Sequence, residues 1–409
     1  MTKTKQICVM ACILLVLLSA LLLWKKQIRE TSKIQEYTQD IEALKKLFNN
    51  NKDNTLGWNL TSNPSEWSGV FWDTRNGYKR VIKLDIHYKN LKSGIGIEEL
   101  SALETLSCYT NELSILDISN MPELKELECS NNNLTTLDIS KNINLINLEC
   151  SFNNLSELDV RRNTKLIKLN CSSNNLTTLD ISQNTKLTDL LCLYNKLSEL
   201  NLRQNIELIR LDCSKRNSLS KLDVSQNIKL QELTCWHNGI SGELNVSNNK
   251  ELIILNCDEN KITKLDVSNN VMLEELSCGK NNLKLLDISK NKNLISLWCF
   301  ENQLSNLDIS KNKNLQFLFC HQNKLLSLNL SNNTKLESLW CFQNRIPTLN
   351  ISQNKALKTL DCYSNKLTTL DISKNKALEN IICHDNRFTP STIEKLTKSR
   401  SNLFHKNIH

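Results

Sequence analysis

The sequence predicts a solenoid of repeated coils, made mainly of parallel β-strands with few helices. A chain of 409 residues exceeds the roughly 250–300 residues at which a single hydrophobic core stops growing, so it is either multidomain or repetitive. Its 40% hydrophobic and 23% charged residues, with only 8 Gly and 4 Pro, indicate a folded chain. Fourteen of the 16 cysteines recur every 21 or 22 residues, which identifies repetition as the organising feature.

The first element is a hydrophobic segment. Residues 7–24 are apolar or small and carry no charge, and they lie between a basic segment at 1–6 and the pair Lys25 and Lys26. In a helix this length just spans a thin hydrocarbon core, and it exceeds the h-region of a cleaved signal peptide. We therefore predict a membrane anchor with an extracytoplasmic domain at a cell surface or in a periplasm. Cleavage of 7–24 would instead give a secreted protein.

The next element, 27–96, is predicted to cap the first coil, because the open end of a solenoid would otherwise expose apolar surface. Apolar residues recur at helical spacing within 30–50, and the segments 64–72 (PSEWSGVFW) and 80–85 (RVIKLD) follow. This pattern resembles the amino-terminal cap of plant leucine-rich repeat receptors. That family's two cap cysteines are replaced here by Ser65 and Trp72, so packing and not a disulfide is expected to hold the cap.

Residues 97–388 carry the repeat, whose frame is LxxLxCxxNxLxxLDISxN. This frame resembles the leucine-rich repeat family, with cysteine at the sixth consensus position, and its length is that of the nested bacterial type. The resemblance implies about 14 coils. The cysteines that define them are Cys108, Cys129, Cys150, Cys171, Cys192, Cys213, Cys235, Cys257, Cys278, Cys299, Cys320, Cys341, Cys362 and Cys383.

The spacing within the frame predicts the role of each residue type. Leucine and cysteine alternate on a short strand and point inward, so that stacked coils share one apolar core. An asparagine three places after each cysteine is expected to satisfy the backbone of neighbouring coils. Arg216 interrupts this series and delays Asn217 by one place, which predicts a local bulge. The second half of each repeat echoes the first, so both sides of a coil are expected to carry extended strand.

The last element, 389–409, is predicted to cap the final coil with a short helix. Thr389, Pro390 and Ser391 precede a helical pattern, and Ser391 with Glu394 matches a capping box.

The polar repeats favour structure over chemistry. Stacked cysteines are too far apart for disulfides, and burial raises the pKa of a thiol, so we expect inert core cysteines. A ladder of aspartates at the LDIS position is expected to bond serine and backbone groups, with calcium binding as the alternative. We therefore predict no metal, no cofactor and no enzymatic activity. The formal charge of +8 forms no run of like charges, so no nucleic-acid-binding tail is predicted.

The outward strand positions carry the prediction about partners. Early coils present small, polar and acidic residues there, whereas late coils present aromatics and histidines on consecutive rungs. Contiguous exposed aromatics usually mark an interface, and packing of the rings on one another is the structural alternative. The predicted ligand-binding residues are Trp298, Phe300, Phe317, Phe319, His321, Trp340, Phe342, Tyr363 and His384.

These observations predict an extracytoplasmic leucine-rich repeat protein that binds a protein, peptide or glycan partner through its strand face. The partner side of this prediction depends on the family resemblance as well as on the aromatic residues, because a fold alone does not determine function. A structural envelope protein that self-associates through the same face is the main alternative. An intracellular effector is a weaker one, and stacking of nucleic acid on the aromatics is weaker still.

Overall fold

The computed structural model describes residues 3–73 and 79–399, which leaves out 1–2 of the basic segment, 74–78 of the amino-terminal cap and 400–409 of the carboxy-terminal cap. The chain divides into two compact units, residues 1–145 and 146–409. The elements of the first unit are α1 (Lys3–Asn49), β1 (Val70–Asp73), β2 (Arg80–Asp85), β3 (Thr105–Ser107) and β4 (Glu126–Glu128), with short 3₁₀ helices at Pro64–Glu66 and Ile97–Glu99.

The second unit contains most of the strands and the second helix. Its elements are β5 (Asn147–Glu149), β6 (Lys168–Asn170), β7 (Asp189–Leu191), β8 (Arg210–Asp212), β9 (Glu232–Thr234), β10 (Ser241–Asn245), β11 (Ile254–Asn256), β12 (Lys261–Asp266), β13 (Glu275–Ser277), β14 (Ser296–Trp298), β15 (Phe317–Phe319), β16 (Ser338–Trp340), β17 (Thr359–Asp361), β18 (Asn380–Ile382) and α2 (Pro390–Ser399). The predicted solenoid of about 14 coils, mainly parallel β with a helix at either end, is confirmed.

The amino-terminal cap is held by packing and by one buried ion pair. The indole rings of Trp58 and Trp67 stack with centroids 5.3 Å apart, and each indole N–H donates to a backbone carbonyl of the cap. The Arg80 guanidinium donates from two nitrogens to Asp40 of α1, at 2.9 and 3.1 Å. The Asp40 side chain is fully buried, and it also accepts the Val81 N–H. These contacts fasten α1 to β2 without a disulfide.

The hydrophobic segment 7–24 forms the first half of α1. Its described side chains, those of residue 10 and of 13–24, are exposed. Within the described residues, no helix combines the length and the apolar character that spanning a membrane demands. The predicted membrane anchor at 7–24 is therefore wrong, as is the membrane-anchored location that rests on it.

Parallel strands stack in register in each unit because every coil repeats the same inward residue. In the second unit the central leucines of consecutive strands pair directly, as Leu297 with Leu318 and Leu318 with Leu339. These leucines are buried, whereas the residues on either side of them are mostly half-buried or exposed. Side-chain alternation along each strand therefore separates a common core from an outward strand face.

The second half of each coil is mostly turn and not strand. Only β10 and β12 form a second sheet, with two parallel strands, among the described residues. The prediction of extended strand on both sides of every coil is thus correct for two coils alone. β10 belongs to a coil that has one residue more than the usual spacing of 21. Gly242 within β10 has a φ of 78°, a backbone conformation that is unfavourable for residues with a side chain.

Cysteine and asparagine form ladders inside the coils. All fourteen repeat cysteines are buried, and burial raises the pKa of thiols such as Cys171 and Cys320 to about 12. The Asn302 amide donates to the carbonyls of Cys278 and Cys299, and its oxygen accepts the N–H of Leu283. This asparagine series satisfies backbone groups at the point where strand becomes turn. The LDISxN asparagines form a second series, in which Asn312 donates to Ile288 and Asn291.

The inserted residue produces the predicted bulge. Lys215 and Arg216 both have positive φ, at 50° and 59°, where other coils have a single such residue before the ladder asparagine. Asn217 nevertheless reaches its ladder position, because its amide donates to the Cys192 and Cys213 carbonyls at 3.1 and 3.0 Å. The extra residue is absorbed in the turn.

The carboxy-terminal helix α2 begins two residues earlier than the predicted capping box requires. The Thr389 hydroxyl accepts the Thr392 N–H at 3.2 Å, and Pro390 is the first helical residue. Thr389 is therefore the N-cap, and the assignment of that role to Ser391 is wrong. Proline suits the first helical position because the missing N–H would have no helical partner there.

Candidate functional site

Aromatic side chains form two adjacent columns on the strand face of the second unit. The residue before each cysteine supplies one column, here called the tryptophan column, and the residue after each cysteine supplies the other, called the stacked column. The tryptophan column comprises Trp298, Phe319 and Trp340, and the stacked column comprises Phe300, His321, Phe342, Tyr363 and His384. Each column arises because in-register parallel strands place equivalent positions on neighbouring rungs about 4.8 Å apart.

Rings of the stacked column lie face to face along the ladder. Consecutive centroids are 4.9, 4.2, 4.5 and 4.7 Å apart from Phe300 to His384, and the planes differ by 6° to 18°. The rung spacing of about 4.8 Å is therefore close to the centroid separation at which aromatic rings stack. Because each ring covers the face of the next, this column presents ring edges and not ring faces at its surface.

The tryptophan column is more open. Its rings are tilted by 40° to one another, with centroids 5.7 and 4.6 Å apart. Trp298 and Trp340 remain 39% and 38% exposed, and Phe317, at the first position of β15, is exposed as well. These three are the most exposed aromatic side chains of the face, since its other aromatic residues are half-buried or buried.

Gly279 supports the first ring of the stacked column. It occupies the same position as Phe300 one coil earlier, and a β-carbon added to it would lie 2.5 Å from the Phe300 ring. The ring thus lies over the glycine backbone, where any other residue would displace it. The stacked column therefore begins at Phe300, because the preceding coil has a glycine and hence no side chain at the equivalent position.

Burial displaces the pKa values of His321 and Asp361 on this face. Burial of His321 between Phe300 and Phe342 lowers its pKa to about 4, since the imidazolium would lose its hydration there. Burial raises the pKa of Asp361 to about 6, although the Tyr363 N–H opposes the shift. His321 Nδ1 and one Asp361 carboxylate oxygen are buried without a hydrogen-bond partner among the described residues.

A third buried group, Asp258, lies two rungs before the stacked column. Its carboxylate accepts the Ser277 hydroxyl at 2.6 Å and the Gly279 N–H at 2.5 Å. Burial raises its pKa to about 6, and these two hydrogen bonds act in the opposite direction. Asp258 therefore holds the glycine on which the Phe300 ring lies.

The structure places all nine predicted site residues on one face, but with different accessibility. His321 is the exception to the expected outward exposure, because the rings on either side leave it only 8% exposed. The aromatics face outward and also pack on one another, as the structural alternative requires, and their binding of a ligand stays a prediction. The sequence analysis missed the roles of Gly279 and Asp258. Both could have been found because each directly follows the cysteine of its coil, which is the position that Phe300 occupies in its own coil.

The aspartate ladder on the other side of the coils is satisfied internally. The Asp287 carboxylate accepts the N–H of Ser289 at 2.9 Å, and Asp308 accepts that of Ser310 at the same distance. These hydrogen bonds from serine lower the pKa of both carboxyl groups. In the described part of the chain, no group of three or more histidine, cysteine or acidic side chains has the arrangement of a metal site.

Comparisons with solved structures find bacterial and plant proteins that are similar to this chain. The functional domain of InlJ from Listeria monocytogenes, which includes a cysteine ladder, is 36% identical, with 78% of this chain and 71% of that chain covered and a TM-score of 0.75. A leucine-rich repeat protein from Leptospira interrogans is 27% identical, with 78% and 93% covered and a TM-score of 0.66. The plant peptide hormone receptor RGFR1, in complex with RGF2, is 25% identical, with 73% and 62% covered and a TM-score of 0.54.

Neither a search with protein-family models nor a search of curated protein sequences finds a match. The fold and its aromatic strand face define a repeat solenoid of the class that commonly mediates protein–protein recognition. On the likeness to the cysteine-ladder domain, the chain belongs to the leucine-rich repeat family, and its bacterial type is confirmed.

Proposed function

We propose that this protein is a non-catalytic recognition protein that binds a protein or peptide partner through the aromatic strand face of its last coils. The observation that carries the proposal is the exposure of Trp298 and Trp340 beside a rigid stack of rings. Tryptophan dominates binding energy at many interfaces because it buries a large area at a small conformational cost. The ordered stack also limits the entropy that binding would cost.

The relatives support a macromolecular partner over a small molecule. One solved structure with this fold is a peptide hormone receptor in complex with its peptide. A glycan is a weaker candidate, because sugar rings bind aromatic faces and the stacked column offers edges.

A peptide library displayed on phage tests the proposal. Peptides selected on the wild-type protein are titrated by calorimetry against the wild type and against Trp298→Ala with Trp340→Ala. We expect the double variant to weaken binding by about 30-fold or more, because the two tryptophans together are expected to contribute at least about 2 kcal/mol as interface residues. Its unfolding free energy is expected to stay within about 1 kcal/mol, since both side chains are substantially exposed.

The matched control removes exposed leucines outside this face, as Leu285→Ala with Leu326→Ala, which are 79% and 59% exposed in the wild type. Equal loss of binding in both double variants would contradict the assignment of the face. Unfolding of the tryptophan variant would show instead that these rings are core. Self-association in sedimentation that Trp340→Ala abolishes would support the structural alternative.

A further inference from the structure

Positive charge is concentrated in the coils that carry the aromatic face. Residues 280–399 contain 17 Lys and Arg against 9 Asp and Glu, which equals the formal charge of +8 of the whole chain. The remainder of the sequence is therefore balanced. The position one residue after the ladder asparagine is basic in four consecutive coils, and this basic row consists of Lys324, Arg345, Lys366 and Arg387.

The basic row is exposed and has no internal counter-charge. All four side chains are exposed, and none of them takes part in an ion pair within the described part of the chain. The ion pairs of these coils join other residues, such as Lys358 with Glu337 and His384 with Asp385. The same position in the four preceding coils holds Gly239, Lys261, Asn282 and Gln303, so the row begins within the aromatic region.

Such a row is unfavourable for the isolated protein. Equivalent backbone positions of stacked coils lie about 4.8 Å apart, so the four residues of the row are anchored along about 14 Å of the solenoid. Like charges on neighbouring strands repel one another and reduce stability. An anionic partner would relieve this repulsion.

The stacked column, whose members precede those of the basic row by three residues in each coil that carries the row, favours the same sign of partner. An aromatic ring has a negative face and a positive edge. Because the faces are covered by neighbouring rings at 4.2 to 4.9 Å, the accessible part of the column is the positive edge. Cations, nucleic-acid bases and sugar rings bind through free aromatic faces, which this column does not offer.

We propose that the basic row and the ring edges bind an acidic polypeptide segment of a partner, whose apolar side chains contact Trp298 and Trp340. This inference rests on the proposed recognition function and specifies the chemistry of its partner. The half-exposed tryptophans favour a polypeptide over a polyanion without apolar groups. The acidic side chains would contact the row from one edge of the face.

The test uses the full chain and a labelled random copolymer of glutamate and tyrosine as the acidic probe. A copolymer of lysine and tyrosine, heparin and single-stranded oligothymidylate serve as comparison probes. The variant neutralises the row as Lys324→Gln, Arg345→Gln, Lys366→Gln and Arg387→Gln. A matched control neutralises four exposed lysines on other parts of the coils, as Lys290→Gln, Lys311→Gln, Lys355→Gln and Lys374→Gln, with the same change in net charge.

We expect the wild type to bind the acidic copolymer in preference to the other three probes. The row variant should bind it about 10- to 100-fold more weakly, and the matched control should bind within about threefold of the wild type. Binding should also weaken as added salt shortens the screening length. Circular dichroism melting of both variants confirms that each remains folded.

Four results would overturn the inference. Equal weakening in both quadruple variants would indicate a response to net charge alone. Failure of the wild type to bind the acidic copolymer, or preference for heparin or oligothymidylate, would exclude an acidic polypeptide as the ligand class. Unchanged copolymer binding by the row variant, with loss in the Trp298 and Trp340 variant, would reject the row and leave the recognition function standing. Copolymer binding that is unchanged in both of these variants would show that neither the basic row nor the two tryptophans form the surface that binds it.

Discussion

At the scale of single residues, burial keeps the His321 imidazole neutral at pH values at which an exposed histidine would be protonated. Its pKa of about 4 lies below the ordinary value of 6.5, so in acid the unfolded chain takes up a proton that the folded chain does not. Its contribution to stability is present above about pH 6.5 and is lost as the pH falls towards 4. We predict that His321→Phe, which keeps a ring between Phe300 and Phe342, removes this loss.

The expected gain of the His321→Phe variant over the wild type grows by roughly 1–3 kcal/mol of unfolding free energy between pH 7.5 and 4.5. Urea unfolding at several pH values measures the difference. Tyr363→Phe is the control, because burial raises the pKa of that phenol and it does not titrate in this range. A gain that stays constant with pH would contradict the prediction.

At the scale of elements, the ladder asparagine joins each strand to the turn that follows it. Asn302 is buried and bonds four backbone groups of its own and the preceding coil. Asn302→Ala is expected to cost roughly 2–5 kcal/mol, because it leaves buried backbone groups without partners. Asn306→Ala, at an exposed position of the same coil, should stay within about 0.5 kcal/mol. Urea unfolding compares the two, and similar costs would show that the ladder bonds contribute little.

At the scale of the whole molecule, stacked coils bury one another's cysteine thiols and keep reagents away from them. The fourteen repeat cysteines are all buried, so iodoacetamide at pH 8 should label none of them in the native protein and all of them after unfolding. Cys383 belongs to the final coil and should react before Cys320, since a terminal coil opens more readily than an internal one. Mass spectrometry in a Cys8→Ser and Cys12→Ser background measures the order. Early labelling of Cys320 would contradict it.

Much of the fold could be predicted because each coil repeats one local pattern. The spacing of Leu297, Cys299 and Asn302 is enough to place core, strand and turn, and the next coil repeats it 21 residues later. The prediction failed where a shared pattern does not determine the backbone. The second half of the repeat resembles the first in sequence, but among the described residues it forms strand only at β10 and β12. The cap of α2 shifted to Thr389 because Pro390 suits the first helical position better than an interior one.

The candidate site was predicted only in outline. Strand alternation placed Trp298 and Trp340 outward, and both are exposed. It could not place His321, because burial of that ring depends on Phe300 and Phe342 in the neighbouring coils. The basic row was also missed, since its members are single residues about 21 positions apart and form no run of like charges in the sequence.

By itself the sequence determined the repeat, its register and the composition of its core, because leucine, cysteine and asparagine recur at a spacing that the covalent chain imposes. Only the tertiary structure decided which aromatic faces are covered, which edges are open and which groups titrate away from their usual range. Those properties depend on side chains that stacking brings within about 5 Å from positions a full coil apart. The surface chemistry of this protein is therefore a property of the stack and not of any single repeat.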